Sequence, residues 1–226
     1  MNWEIEKDNF HQFIFKNKII GFFEKPIKLK SGRLSYWYVN WRNISEDVFL
    51  LDKLCDYLLF FINFLNLSPD CFYGVPEGAT KLGIITQYKW AKKQEKYDSG
   101  SSRLSMGRGR PKEHGDPKDR YFLGQPQGKV IILEDVITTG VSLIDNIRKL
   151  KELNIDIIAA IVLTNRNELR NDGKSVEDII RKEGVKFYSM SNATDLLPNL
   201  KPNKEIALKI EAYFKKYGTK EIKMHY

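Results

Sequence analysis

The residues best suited to chemistry follow an apolar run at positions 130–133, where two acids precede a turn rich in hydroxyl groups. These residues are Glu134, Asp135, Thr138, Thr139, Gly140, Val141 and Ser142. A buried strand that passes through such a turn into a helix presents backbone N–H groups and hydroxyls to an anion. The adjacent acids are placed to accept hydrogen bonds from sugar hydroxyls. An ordinary capped turn would explain the threonines and the glycine but not the paired acids, so the pattern predicts a sugar-phosphate site.

This segment is neither a Walker loop nor a dinucleotide fingerprint, because it lacks Gly-Lys-Ser/Thr and Gly-x-Gly-x-x-Gly. It resembles the signature with which type I phosphoribosyltransferases bind phosphoribosyl pyrophosphate (PRPP). The resemblance implies that all seven residues from Glu134 to Ser142 named above contact PRPP and that Asp135 belongs to the catalytic group. Thr138 would also reach the base.

A second segment resembles the N-terminal signature of the orotate phosphoribosyltransferase family. It reads Leu-Lys-Ser-Gly-Arg-Leu-Ser at positions 29–35, with Tyr38 and Asn40 after it. In that family the segment closes over the base from a small hood. The resemblance implies that Lys30 contacts the region between orotate and pyrophosphate, and that Tyr38 and Val39 flank the ring. An ordinary polar turn before an aromatic strand is the alternative.

A third segment, Arg-Gly-Arg-Pro-Lys-Glu-His-Gly at positions 108–115, lies within a polar stretch at 95–128. A stretch of this length without apolar periodicity is typical of a functional loop or a disordered linker. The segment resembles the family's catalytic loop, which implies catalytic and PRPP-binding roles for Arg108, Lys112 and His114. Gly109 stands where the family usually has a lysine. A solvated basic loop or a nucleic-acid-binding tail is the alternative.

Two further positions bear on the ligands. Arg166 follows an apolar run at the place where the orotate family has an arginine that pairs with the substrate carboxylate, a contact that suits a planar guanidinium. Glu77, in contrast, replaces a lysine that often contacts PRPP. Lys81 is predicted to lie inside a helix. The backbone at Gly78 and Ala79 remains available to an anion.

The apolar pattern around these motifs predicts alternating strands and helices. A parallel sheet covered by helices on both faces follows, with ligands at the carboxyl ends of its strands. An N-cap at Ser45 is expected to begin a helix that runs to Leu67. The predicted helices are 3–23, 79–93, 142–153, 176–183 and 205–217, and the predicted strands are 71–75, 129–133, 157–163 and 185–190, with an extended segment at 28–40.

Composition sets the remaining limits. A chain of 226 residues fits one domain, with an N-terminal helix and hood at about 1–45 and a lid loop at about 95–128. No apolar stretch predicts a signal peptide or a membrane span, so a cytoplasmic protein is expected. Cys55 and Cys71 lie in apolar surroundings that predict buried, reduced thiols. The net charge of +8 favours anionic partners but does not choose among them.

Taken together, the motifs are those of the orotate phosphoribosyltransferase family, in family order. The resemblance implies PRPP and orotate as substrates, Mg²⁺ as a cofactor held mainly by PRPP, and a homodimer whose lid reaches the neighbouring site. Nucleic acid and membrane are not expected as partners. Two alternatives stay open: a transferase for another base such as xanthine, hypoxanthine or uracil, and a PRPP-sensing regulator that binds nucleic acid.

Overall fold

The central feature is a parallel sheet of four strands. The computed structural model describes residues 2–114 and 120–226. In their order across the sheet, the strands are β3 (Cys71–Gly74), β6 (Lys129–Ile137), β7 (Asp156–Asn165) and β8 (Phe187–Asn192). Successive residues of β6 enter opposite apolar clusters, Ile131 and Leu133 on one face and Val130 and Ile132 on the other. This burial on both faces explains the unbroken apolar runs and confirms the predicted sheet.

Helices cover both faces of the sheet. The longer helices are α1 (Trp3–Lys16), α3 (Val48–Phe64), α4 (Thr80–Ala91), α5 (Val141–Glu152), α6 (Val176–Lys182) and α8 (Lys204–Tyr217); α2 (Arg42–Ser45) and α7 (Ala193–Leu196) are single turns. Residues of α1, α3 and α8 join one apolar cluster, whereas residues of α5 and α6 join the other. None of the helices in the described part of the chain is both long and apolar enough to cross a membrane. Both cysteines are buried and unpaired, as predicted, and burial raises the pKa of each thiol to about 11.

The N-terminal hood differs from the sequence prediction. The helix expected over 3–23 ends at Lys16, and a hairpin of β1 (Ile20–Lys28) and β2 (Leu34–Val39) follows. The chain leaves the helix because Lys18 adopts a left-handed conformation with φ of 51°. Residues from Ile20 onward then pair with β2, so tertiary pairing overrides the local helical spacing. The extended character predicted for 28–40 is confirmed in β2.

The predicted N-cap at Ser45 was wrong by two residues. Asp47 caps α3, and its carboxylate accepts a hydrogen bond of 2.9 Å from the backbone N–H of Leu50. Ser45 instead ends the short helix α2 and donates its hydroxyl to the Arg42 carbonyl at 2.9 Å. Ser45 and Asp47 are both of residue types that can cap a helix. Because the single turn of α2 ends at Ser45, α3 begins after Asp47.

The polar stretch at 95–128 is anchored to the domain by a small hairpin. The strands β4 (Met106–Gly107) and β5 (Phe122–Leu123) pair within it. Phe122 is buried against Tyr73 of the sheet, with ring centroids 5.9 Å apart. The stretch therefore leaves and returns to the domain beside β3, close to the carboxyl edge of the sheet.

Candidate active site

A cavity of about 630 Å³ opens at the carboxyl edge of the sheet. Its walls come from the hood, the turn after β3, the turn after β6 and the segment after β7. The predicted site residues that line it are Lys30, Tyr38, Val39, Glu134, Asp135, Thr138, Thr139, Gly140, Val141, Ser142 and Arg166. Motifs that are more than a hundred residues apart in sequence thus meet in one place. The turns after β3, β6 and β7 do so because parallel strands end at the same edge of a sheet, and the hood joins them there.

The turn between β6 and α5 has the geometry of an anion site. Gly140 caps α5 in a left-handed conformation with φ of 71°, and a Cβ at this position would collide with Val176 of α6. Only glycine meets both conditions, so its place in the motif has a physical reason. Lys30 reaches across from the hood and donates a 2.9 Å hydrogen bond to Ser142 Oγ. The turn therefore combines a helix N-terminus, hydroxyls and a cation from a second element.

The two acids have different environments. Glu134 is 7% exposed, and burial, followed by the nearby charge of Asp135, raises its pKa well above the usual range. The Asp135 carboxylate is more exposed and packs on Gly78, where an added Cβ would lie 2.7 Å from its oxygens. The missing side chain at Gly78 leaves room for Asp135 at the cavity wall. One acid is thus held in the core and its neighbour is presented to the cavity.

The hood contributes one face of the cavity. Tyr38 is 36% exposed and lines the opening, whereas Val39 is buried at its base. Trp41, just after β2, donates its indole N–H to Thr164 Oγ1 of β7 at 3.0 Å. This bond ties the hood to the sheet, so the face that the tyrosine presents is held in position.

Arg166 lines the cavity one residue beyond β7, where it packs against strand β2 of the hood. It is 1% exposed, its guanidinium stacks 3.6 Å from the ring centre of Trp37, and its Nε donates to Glu168 at 2.7 Å. Its Nη2 donates to Ser35 Oγ at 3.2 Å. Within the described residues its Nη1 has no hydrogen-bond partner. A guanidinium with a buried, unpaired N–H group that borders a cavity suits a carboxylate ligand.

Sequence reasoning missed Arg170, which also lines the cavity. Its Nη1 donates a hydrogen bond to the backbone carbonyl of Thr139, within the anion turn. The bond links the segment after β7 to the turn after β6. A basic residue four positions after Arg166 was visible in the sequence, but no local pattern linked it to the anion turn.

The lid residues are placed differently. Arg108, Lys112 and His114 do not line the cavity in the described structure, and the latter two side chains are exposed. Gly115, the last residue of the motif, lies outside the described residues. The backbone at Gly109 nevertheless sits against the cavity wall, where an added Cβ would lie 2.8 Å from Glu77 Oε1. The lid motif thus begins beside the turn that follows β3.

The turn after β3 carries the departure noted in the sequence. Glu77 and Gly78 line the cavity, so a carboxylate occupies the place expected for a lysine. Lys81 lies in α4, as predicted, and donates to the Ser45 carbonyl at 3.0 Å. It is therefore engaged with α2 and does not replace the missing charge at the cavity.

The donors around the cavity suit hydroxyls and a hydrated hard cation better than a directly bound metal. In the part of the chain that the structure describes, no group of three or more His, Cys, Asp or Glu side chains is arranged to hold a metal ion. The carboxylates of Glu134 and Asp135 and the threonine hydroxyls are hard oxygen donors. Such donors fit the waters and phosphate oxygens of a magnesium–phosphate complex.

Comparison with known proteins gives a consistent result. No family model matches the chain. The chain is 26% identical over 196 residues to an orotate phosphoribosyltransferase of Aquifex aeolicus, covering 85% of this chain and 98% of the relative. It is 27% identical to that of Marinobacter nauticus, covering 94% and 98%. The crystal structure of orotate phosphoribosyltransferase from Francisella tularensis superposes with a TM-score of 0.68 at 21% identity, over 93% of this chain and 99% of that one. The predicted fold is therefore confirmed as that of the type I phosphoribosyltransferases.

Proposed function

We propose that this chain, which has the type I phosphoribosyltransferase fold and is similar in sequence to orotate phosphoribosyltransferases over most of its length, is itself an orotate phosphoribosyltransferase. It transfers the ribose-5-phosphate group of PRPP to orotate and releases orotidine 5′-monophosphate and pyrophosphate, in pyrimidine nucleotide synthesis. The single observation that carries the proposal is the convergence of the anion turn, the acid pair, the hood and Arg166 on one cavity.

The two ends of the cavity suit the two substrates. The turn at Thr138–Ser142 binds the 5-phosphate through backbone N–H groups and hydroxyls, and Asp135 accepts hydrogen bonds from the ribose hydroxyls. Arg166 receives the orotate carboxylate on its unpaired N–H group, with Tyr38 and Val39 beside the ring. Lys30, which bonds Ser142 of this turn, is assigned to the region where the base and pyrophosphate meet.

Catalysis by this chain is mainly a matter of position and charge. Displacing pyrophosphate from the anomeric carbon develops positive charge on the ribose and negative charge on the leaving group. Orotate attacks as its anion, so no strong base is needed, and cations beside pyrophosphate lower the barrier. We assign this task to Arg108, which is partly buried, and to Lys112 and His114, which are exposed; all three must close over the cavity. Closure also excludes water, which would otherwise hydrolyse PRPP.

Mg²⁺, when bound with PRPP, neutralises part of the pyrophosphate charge. We propose that phosphate oxygens and waters hold most of its coordination sphere, and that Glu134 and Asp135 act on the ribose and on those waters. The enzyme is proposed to act in the cytoplasm, without nucleic acid or membrane as a partner.

The protein is proposed to be a homodimer in which each lid reaches the neighbouring cavity. Lys112 and His114, which are exposed and do not line their own cavity in the described structure, support this arrangement. Lys112→Ala and Arg166→Ala subunits, each strongly impaired alone at low orotate concentration, are expected to regain activity when refolded together, because one site in each mixed dimer is intact. Activity that stays absent after mixed dimers have been isolated would show that each lid serves its own cavity.

The first experiment follows the loss of orotate absorbance with PRPP and Mg²⁺. Uracil and hypoxanthine serve as parallel substrates, and omission of PRPP or Mg²⁺ as controls. Consumption of orotate that requires both supports the proposal. Turnover of another base instead would assign a different transferase, and PRPP binding without turnover of any base would favour the regulator. Salt-sensitive binding of DNA or RNA would then be the next observation to seek.

A further inference from the structure

A buried ion cluster lies directly behind Arg166. Its centre is Glu168, a carboxylate 1% exposed that accepts three hydrogen bonds. These come from Arg166 Nε at 2.7 Å, Arg33 Nη1 at 2.9 Å and the Tyr213 hydroxyl at 2.9 Å. The three donors belong to the segment after β7, the hood turn and α8, so the carboxylate joins three separate parts of the fold.

This ion cluster carries a net charge of +1. Two guanidinium groups face one carboxylate, and Tyr213 adds no charge, because burial, followed by the nearby Glu168 charge, raises the pKa of its hydroxyl. Arg33 is bonded on its far side to the Leu169 carbonyl and to Asn171, at 2.7 Å and 3.1 Å. Its ring neighbour is Tyr217, 4.5 Å away. Within the described residues, Nε of Arg33 and Nη1 of Arg166 are the N–H groups of this cluster that have no hydrogen-bond partner, and of the two arginines only Arg166 lines the cavity.

Arg166 is also held on its other sides. The ring of Trp37 lies against its planar face and Ser35 accepts from Nη2. Glu168 fixes Nε, and within the described residues the buried Nη1 has no hydrogen-bond partner, in a side chain that lines the cavity. A buried donor without a partner costs free energy in the empty protein, and an anion that reaches it recovers that cost. The cluster thus leaves one direction in which this guanidinium can bind a ligand.

We infer that Glu168, supported by Arg33 and Tyr213, is a positioning and specificity-determining group that aims Arg166 at a ligand carboxylate. The inference rests on the proposed function and extends it to residues that never touch the ligand. Tyr213 holds Glu168 from α8, which gives the C-terminal helix a part in base recognition. Arg33 neutralises Glu168, so that Arg166 keeps an effective positive charge for the substrate.

The test compares two nucleotides that differ only in the carboxylate. Orotidine 5′-monophosphate carries it and uridine 5′-monophosphate lacks it, so their affinities, measured by titration calorimetry, isolate the contribution of Arg166. Tyr213→Phe removes one hydrogen bond to Glu168 and keeps the ring. Tyr217→Phe, one turn further along α8, is the matched control because it removes a hydroxyl that does not bond Glu168.

Wild-type protein is expected to bind orotidine 5′-monophosphate more tightly than uridine 5′-monophosphate. Tyr213→Phe should weaken the first affinity by about tenfold, as expected for one hydrogen bond to a charged group, and change the second by less than about twofold. Tyr217→Phe should change neither. Glu168→Gln should act in the same direction as Tyr213→Phe. Thermal unfolding of each variant verifies that the fold is retained.

The outcomes separate this inference from the proposed function. If wild-type protein binds neither nucleotide and turns over no orotate, the proposed function fails. If wild-type protein turns over orotate but Tyr213→Phe weakens both nucleotides equally, or neither, the positioning role is wrong. Equal wild-type affinity for the two nucleotides would likewise overturn it, because Arg166 would then not recognise the carboxylate.

Discussion

Replacing Glu134 by glutamine should make the folded protein more stable and weaken its binding of PRPP. Burial and the charge of Asp135 raise the pKa of Glu134, so above the ordinary pKa of a glutamate side chain folding costs free energy, either to bind a proton or to bury the charge. Glutamine has nearly the same shape and removes the charge. Its side-chain oxygen can still accept the 3.3 Å hydrogen bond that the Asp135 backbone N–H donates. The stability gained is therefore electrostatic.

The pH dependence of this gain follows from the direction of the pKa shift. Below about pH 4 the carboxyl is protonated in both the folded and the unfolded chain, so it imposes no charge cost. As the pH rises, the unfolded chain ionises first, and the free energy of unfolding falls until the pH exceeds the folded-state pKa. Each unit of pKa difference corresponds to about 1.4 kcal/mol. For a chain of this length, a gain of about 1.4 kcal/mol raises the unfolding temperature by about 3–6 °C.

The measurement is thermal unfolding of wild-type protein and Glu134→Gln between pH 4.5 and 8. The difference in unfolding temperature should be small at the acidic end and increase with pH, while PRPP affinity falls by about tenfold because an amide nitrogen replaces one of the two carboxyl oxygens. Glu152→Gln, at an exposed position of α5, is the control and should show neither effect. A temperature difference that does not change with pH would refute the reasoning, since it would not arise from titration of Glu134.

Three further substitutions test other parts of the site. Lys112→Ala should lower kcat by about a hundredfold without changing the unfolding temperature, because the side chain is exposed, whereas Lys96→Ala should leave kcat unaltered. Gly140→Ala should lower the unfolding temperature more than Gly173→Ala, because both have positive φ but only the first meets α6; PRPP affinity should fall only in the first. Arg166→Ala should raise the KM for orotate and leave that for PRPP nearly unchanged; an effect confined to PRPP would show that the guanidinium does not bind the base.

The fold could be predicted well wherever structure depends on near neighbours in sequence. The strand at 129–133, the turn at Gly140 and the helix after it form one continuous segment, and α5 lies within one residue of its predicted bounds. The strand β6 begins where predicted but runs on to Ile137, so Glu134 and Asp135 lie within it. The boundaries of elements were less predictable. The helix expected to reach residue 23 ends at Lys16, because its continuation pairs with β2, and Asp47 rather than Ser45 caps α3. Both outcomes depend on contacts between segments.

The short hairpin in the lid region has the same explanation. Only four residues form its strands, Met106–Gly107 and Phe122–Leu123, too few to create a periodic signal. Phe122 is buried because Tyr73 of β3 lies beside it. Neither the pairing nor the burial can be read from the polar composition of the stretch.

The sequence by itself determined the order along the chain of the four sheet strands and the longer helices between them, the anion turn and most residue types of the cavity wall, because each of these is encoded in a continuous segment. The tertiary structure alone decided which side chains surround Arg166. Glu168 lies 135 residues from Arg33 and 45 from Tyr213, and it bonds both. Local pattern carries no information on such pairs, since their meeting depends on how the hood and α8 pack against the sheet. The orientation of the guanidinium that we expect to select the base therefore arises only when the chain has folded.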